Sequence, residues 1–316
     1  MSNLHVIFGT GPLGQSVMRA LHKRDVTVRM INRSGKRGEI PADVEVVSAD
    51  AYDEAQVKTL TQGASVVYQC AQPAYTEWAE KFPPLQTAIL NGTASNGAKL
   101  IVGDNLYMYG ATGGASIHAH LPYQAKSVKG RVRAQMAQQL LDAHAQGTVQ
   151  VAIGRGSDFY GEGVLDAMMG ERVFGFMVAG KPASVFGKID IPHTQTYIGD
   201  FGEALAILGE REEALGRAWH VPNAEPNISQ REFIERIASV MGIPPQISPM
   251  PGWLFEGLSL VHPTLREFRE LRYGFEEPYV VDSSDFIKTF GDISTPLDEG
   301  IARTVAWYRQ HVASHA

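Results

Sequence analysis

The glycines at positions 9, 11 and 14 are the residues whose spacing most plainly serves a chemical purpose. They fall in His5-Val6-Ile7-Phe8-Gly9-Thr10-Gly11-Pro12-Leu13-Gly14, where an apolar run stops at a glycine and a helical pattern follows through Val17, Met18 and Leu21. A strand that turns sharply into a helix gathers unpaired backbone N–H groups and the positive end of the helix dipole at one point, which suits a diphosphate. Gly9 permits the turn, Gly11 lets backbone approach the phosphates, and Gly14 lets helix and strand pack closely. The pattern assigns Gly9, Thr10, Gly11, Pro12, Leu13 and Gly14 to dinucleotide binding, with a ligand-free tight turn as the alternative.

Other residues fall where such a ligand would need them. Asn32-Arg33-Ser34-Gly35-Lys36 follows the second apolar run, where an acidic residue would accept from the ribose hydroxyl of NAD and an Arg would accommodate the 2′-phosphate of NADP. No carboxylate stands there, and Arg33 with Lys36 brings positive charge, so NADP is favoured over NAD; a solvated basic loop is the other reading. Asp50-Ala51 follows the third run and is placed to meet the adenine, while Asp53 suits the N-cap of the next helix. Small residues in Gln69-Cys70-Ala71-Gln72-Pro73 leave room for the cofactor at the carboxyl end of the fourth run. Cys70 has no base beside it in sequence and reads as a buried filler rather than a nucleophile. Tyr75 and Trp78 line a substrate pocket or pack the next helix. His193, in Pro192-His193-Thr194-Gln195-Thr196-Tyr197, invites a catalytic role but reads as a structural residue. No His/Cys/Asp/Glu cluster has metal-ligand spacing, so no metal is expected, and no Gly-x-Ser-x-Gly elbow points to a hydrolase.

The elements that must hold these residues alternate. Strands are expected over 4–8, 26–31, 44–47, 65–68, 99–103 and 149–153, with helices over about 11–24 and 54–60. A further helix passes through Val128, Val132, Met136 and Leu140, whose spacing marks a buried stripe. Beyond strand 6 the alternation loosens: 168–177 is apolar, 184–189 reads as a short strand, 198–208 as a strand end and helix, and 218–221 as one more strand. From Pro222 the prolines thicken, and Trp253, Phe255, Phe268, Tyr273, Phe275 and Tyr279 read as core or as the cover of a cleft. The fold class is α/β, a doubly wound parallel Rossmann sheet with a smaller, mixed C-terminal substrate lobe. Residues 1–154 plus 190–221 are expected to form the dinucleotide-binding domain, and 155–189 plus 222–316 the substrate lobe.

Composition narrows the partners. With 316 residues, 44% hydrophobic and 20% charged, the chain can bury a large core, and a net charge of −6 without a long Lys/Arg run argues against nucleic acid. No window approaches the length of a membrane span. A single cysteine forbids an internal disulfide and fits a reducing compartment. The first strand begins at once, leaving no room for a signal peptide, so a cytoplasmic location is expected.

In order along the chain, Gly9 to Gly14, Asp50-Ala51-Tyr52-Asp53, Tyr109-Gly110, Arg155 through Tyr160-Gly161, Tyr197-Ile198-Gly199-Asp200 and a tail ending Thr304-Val305-Ala306-Trp307-Tyr308 resemble the extended or atypical short-chain dehydrogenases/reductases, the NAD(P)-dependent epimerase/dehydratase superfamily. That family carries Tyr-x-x-x-Lys on the helix after strand 5, with a Ser or Thr at the strand's end. Here Tyr123 is followed by Lys126 at the wrong interval. The family's count from Tyr109-Gly110 lands on Lys129, with Arg133 four residues on and Asn105 in the Ser/Thr place. The resemblance therefore implies an altered proton-transfer set in which Lys129 is the general acid/base and also contacts the cofactor. Arg133, of like charge, would lower the ammonium pKa, and Asn105 would hold a substrate oxygen. The isoflavone and pinoresinol reductases are similar at this helix, where a Lys precedes a basic run like Arg131-Val132-Arg133. Two alternatives stand beside it: Lys129 and Arg133 on a solvated face or at a phosphate with Tyr109 or Tyr123 as donor, or no catalysis, as in NmrA-like sensors of NADP(H).

The expectation is an NADP(H)-preferring oxidoreductase moving hydride to or from a carbonyl or activated double bond of a small organic substrate. Nucleotide-sugar epimerisation or dehydration is the alternative. Tyr75, Trp78, Tyr107, Phe159 and Tyr160 are the expected substrate contacts, and a homodimer is compatible with the family.

Overall fold

The computed structural model describes residues 3–252, 257, 259–260 and 263–315, without side chains for 263–265 and 315. The expected Trp253 and Phe255 lie outside the described residues. Two compact units divide the chain: 1–108, 129–155 and 201–219 form the first, and 109–128, 156–200 and 220–316 the second.

The first unit is built on strands β1 (Leu4–Phe8), β2 (Thr27–Asn32), β3 (Glu45–Ser48), β4 (Ala64–Gln69), β5 (Lys99–Asp104) and β6 (Val151–Arg155). Helix α1 (Pro12–His22) follows β1, α2 (Glu54–Leu60) follows β3, α3 (Trp78–Ala94) follows β4 and α4 (Val128–Ala145) follows β5. The strand order from the edge is β3-β2-β1-β4-β5-β6, and these pairs are parallel. Crossover helices cover both faces of such a sheet, so its strands are apolar throughout rather than alternating. Val6, Ile7, Phe8, Val67, Leu100, Ile101, Val151 and Ile153 are accordingly fully buried. The order reverses beside β1 and β4, so ligands collect at the carboxyl ends of those strands.

Two expectations are corrected here. Strand 6 runs 151–155 rather than 149–153, because its last residue, Arg155, is drawn into register opposite Asp104 of β5. The buried stripe of α4 is also displaced. Met136 and Leu140 are buried as expected, but Val128 is 47% exposed and Val132 half-buried, while Lys129, Arg133 and Ala137 complete the buried face. One step along a helix turns the face by about 100°, so a stripe begun one residue late is a different surface.

The second unit has two small parallel ribbons. Strand β7 (Asp158–Tyr160) pairs with β9 (Gln195–Tyr197), and β8 (Ala183–Val185) pairs with β11 (Ile247–Pro249). The strand expected over 184–189 stops at Val185. Gly187 adopts φ +82°, and a Cβ there would stand 2.6 Å from both the Cβ and the carbonyl oxygen of Phe275, so the chain must turn against that residue. Helix α5 (Ile198–Glu210) leads to β10 (Ala218–His220), which closes the large sheet beyond β6. Helix α6 (Gln230–Met241) carries a full capping box between Ser229 and Glu232, and α7 (Leu297–His315) ends the chain. Tyr160, Phe174, Phe233 and Tyr308 form an aromatic core in this unit. No helix among the described residues is long and apolar enough to cross a membrane.

Candidate active site

The glycine loop has the geometry its spacing requires. Gly9 sits at φ +107°, where an added Cβ would lie 2.7 Å from Ala71 N. A Cβ on Gly14 would strike the Gly9 carbonyl oxygen, so helix and strand approach as only glycine allows. Nothing lies within 4 Å of the place a Gly11 Cβ would take, so this stretch of backbone is open. Gly11 is the N-cap of helix α1, which begins at Pro12 with no side-chain cap and no acidic residue in its first turn. Its first N–H groups therefore face a space suited to an anion, and the residues present fit a dinucleotide diphosphate.

The loop after β2 is tied to this turn. Asn32 Nδ2 donates to Thr10 Oγ1 at 3.1 Å and to the Lys36 carbonyl at 2.9 Å, while Asn32 Oδ1 accepts from Gly35 N at 2.6 Å and Ser34 Oγ at 3.1 Å. That bonding orders the 32–36 loop and leaves Arg33 and Lys36 exposed. Asp53 caps α2 through Ala55 N and Gln56 N, as expected, and Asp50 is exposed, accepting from Tyr52 N at 3.1 Å. At the end of β4, Cys70 N bonds to the Phe8 carbonyl at 2.9 Å and Ala71 backbone meets Gly9. Burial pushes the Cys70 thiol up, away from thiolate chemistry.

Helix α4 brings Lys129 and Arg133 to the buried side of the first unit, so neither stands on a solvated face. Lys129 Nζ lies 4.4 Å from the centre of the Tyr75 ring, a cation–π contact. Tyr75, Trp78 and Phe82 pack edge to face in series, and Tyr107 lies 6.1 Å from Trp78. The Arg133 guanidinium covers Phe82 at 4.4 Å and bonds Asp104 through Nε at 2.8 Å and through Nη2. Asp104 also accepts from Arg155 Nε at 3.1 Å, and Arg155 is fully buried. Arg133 thus reaches Lys129 as half of an ion pair rather than as a bare like charge. Composition did not reveal this triad, although Asp104 and Arg155 end adjacent strands. Asn105 Oδ1 accepts from Tyr107 N at 3.2 Å, which turns its amide nitrogen the other way as a donor.

The other expected residues lie in the second unit. Tyr109 is buried, its hydroxyl 2.9 Å from His220 Nε2 and 3.3 Å from the Ala119 carbonyl, and its ring packs on Tyr123. Tyr160 belongs to the aromatic core, and Phe159 beside it is half-buried. His193 is buried and lies 2.8 Å from Asp158 Oδ2.

A glycine turn feeding a helix N-terminus, at the carboxyl edge of a parallel sheet beside its reversal point, defines a Rossmann protein of the dinucleotide-binding class. Residues 6–221 match the model of the NAD dependent epimerase/dehydratase family, and the chain belongs to that family. No curated protein matches the sequence. Among solved structures it is similar to the UDP-N-acetylglucosamine 4-epimerase of Methanobrevibacter ruminantium, in complex with UDP-N-acetylmuramic acid (TM-score 0.80, 16% identity, 98% of this chain and 99% of that one). It is also similar to the UDP-glucose 4-epimerase of Thermotoga maritima with UDP-glucose (0.79, 15%, 98% and 99%). The Bordetella bronchiseptica enzyme WbmH, in complex with NAD+, is a third (0.74, 16%, 98% and 99%). At these identities the likeness is one of fold.

Proposed function

We propose that the chain is an NADP(H)-dependent oxidoreductase acting on a carbonyl or activated double bond of a small organic molecule, with Lys129 in the proton-transfer role that tyrosine fills elsewhere in the family. The observation that carries this reading is the burial of Lys129 against the Tyr75 ring, in the same unit as the open glycine turn. A bound nicotinamide supplies or accepts hydride. Backbone of Gly9 to Gly14 holds its diphosphate, Arg33, Asn32 and Ser34 surround the adenosine ribose, and Asp50 with Ala51 meets the adenine. Lys129 exchanges a proton with the substrate oxygen, and Asn105 Nδ2 donates to that oxygen. Arg133 acts as a positioning residue, anchoring α4 to the end of β5 through Asp104. Tyr75, Trp78 and Tyr107 present an apolar wall to the substrate.

The test pairs turnover with binding. Wild-type protein is expected to oxidise NADPH with at least one member of a panel of aldehydes, ketones and enones. Lys129→Met should cut that turnover about a hundredfold or more, the range of a general acid/base, and leave NADPH affinity nearly unchanged. Undiminished turnover in the variant would reassign the role to Tyr109 or Tyr123. Binding of NADPH with no turnover on any substrate would favour an NmrA-like sensor. A second reading, nucleotide-sugar epimerisation or dehydration, draws on the similar structures that hold UDP-sugars. It predicts conversion of UDP-glucose to an epimer or dehydrated product with no net consumption of coenzyme.

A further inference from the structure

The second unit holds a polar cluster that the reading above leaves unused. In the β7·β9 ribbon Asp158 stands opposite Gln195, so both side chains leave on one face. His193 lies between two acceptors: Nδ1 is 2.9 Å from the Gly274 carbonyl oxygen and Nε2 is 2.8 Å from Asp158 Oδ2. Each contact therefore contains a proton, and one oxygen of Asp158 is committed to His193. Phe275 and Tyr279 stack on the imidazole at 5.5 and 5.1 Å and hold it in place. The Asp158 side chain is 27% exposed, so the cluster opens to solvent on that side.

Two neighbours await a partner. Both amide atoms of Gln195 and the hydroxyl of Tyr273 are buried and bond to none of the described residues. Tyr273 precedes Gly274, whose carbonyl oxygen lies 2.9 Å from His193 Nδ1, and burial, then the charges of Glu270 and Asp158, push its phenol up to about 12. A buried polar group left without a hydrogen bond destabilises the fold. A fold that keeps two of them beside a partly exposed carboxylate is built to pair them with something else.

We propose that Asp158, Gln195 and Tyr273 form a binding site within the second unit for a neutral hydroxyl group. Asp158 accepts the hydroxyl proton, and the Gln195 amide or the Tyr273 phenol donates to its oxygen. A carboxylate or phosphate brings no proton and would meet the remaining Asp158 oxygen acceptor to acceptor, as would any group lacking a donor. All three residues belong to the second unit, and the inference does not depend on the proposed oxidoreductase reading.

The experiment is ligand-observed NMR with three probes of similar shape: benzyl alcohol, benzyl methyl ether and benzoate. Benzyl alcohol is expected to bind at least tenfold more tightly than the other two. Asp158→Asn, which keeps the shape, and Gln195→Met, which removes the amide, should each weaken it severalfold or more. Gln195→Met should also raise the melting temperature, because it removes an unpaired buried amide; a residue with a purely structural bond would give the opposite. Failure of benzyl alcohol to bind, equal binding of all three probes, or an unchanged affinity in both variants would overturn the site, as would a lowered melting temperature in Gln195→Met. NADPH titrated in parallel separates the outcomes, since a lost site with intact coenzyme binding leaves the dinucleotide reading standing.

Discussion

Asp200 offers a stability measurement whose sign and size follow from the structure. It sits in the first turn of α5, 5% exposed, with Oδ2 accepting from Thr295 N at 2.8 Å and Oδ1 from Thr295 Oγ1 at 2.6 Å. Burial raises its pKa from 3.8 to about 6, against the opposing Thr295 hydrogen bonds and Arg303 charge and with help from Asp292. The native state therefore holds a proton that the unfolded state releases. Its stabilising contribution is complete below pH 3.8 and is lost as pH rises through about 6. A shift of about two units corresponds to about 3 kcal/mol. Asp200→Asn mimics the protonated form, and the Thr295 hydroxyl can rotate to accept from the new amide. The variant should match wild type near pH 4 and gain up to about 3 kcal/mol by pH 7, seen as several degrees in melting temperature. His5 of the first unit works in the opposite direction. Its pKa is depressed to about 4 by burial and then by Lys99, so its contribution is lost as pH falls from 6.5 toward 4. Wild-type melting against pH thus mixes opposed trends, and only the difference between the Asp200→Asn and wild-type curves isolates Asp200. Curves that stay parallel from pH 4 to 7 would refute the argument.

Three further outcomes are expected. Arg33→Ala should weaken NADPH binding and spare NADH; equal loss of both in fluorescence titrations would refute the assignment of the 2′-phosphate. Gly9→Ala should abolish measurable coenzyme binding, since its Cβ would lie 2.7 Å from Ala71 N at a φ of +107° that alanine rarely adopts; wild-type affinity would contradict this. Asp104→Asn leaves Arg133 and Arg155 as buried like charges and should cost about 3–5 kcal/mol in urea unfolding, and a loss below about 1 kcal/mol would show that the triad is not cohesive.

The sheet was legible because parallel strands buried on both faces are written as unbroken apolar runs. His5 to Phe8, Val66 to Tyr68 and Leu100 to Val102 could hardly be anything else. The glycine turn was legible because each glycine answers a steric demand that the structure makes visible at Gly9 and Gly14. The second unit was less so. Its strands are three residues long, too short for a period to register, and β8 ends on the clash between a Gly187 Cβ and Phe275, which only the folded chain contains. The Asp158–His193 pair joins residues 35 positions apart through a ribbon that sequence patterning does not reveal.

Helix α4 shows why the proposed catalytic place was the hardest to read. A period drawn through its apolar residues selects Val128, yet that side chain is 47% exposed while charged Lys129 and Arg133 are buried one step round the helix. Apolar periodicity locates a buried face only where hydrophobic transfer does the burying. Here the face is held by Asp104 and Arg155 at the ends of two strands and by the rings of Tyr75 and Phe82, and such partners leave no period in the sequence. Because removing either partner of a buried ion pair strands the other, the register of α4 over β5 is fixed by Arg133 more firmly than packing alone would fix it. A lysine one turn earlier on that same face is consequently held in a set position, which the proposed proton-transfer role requires.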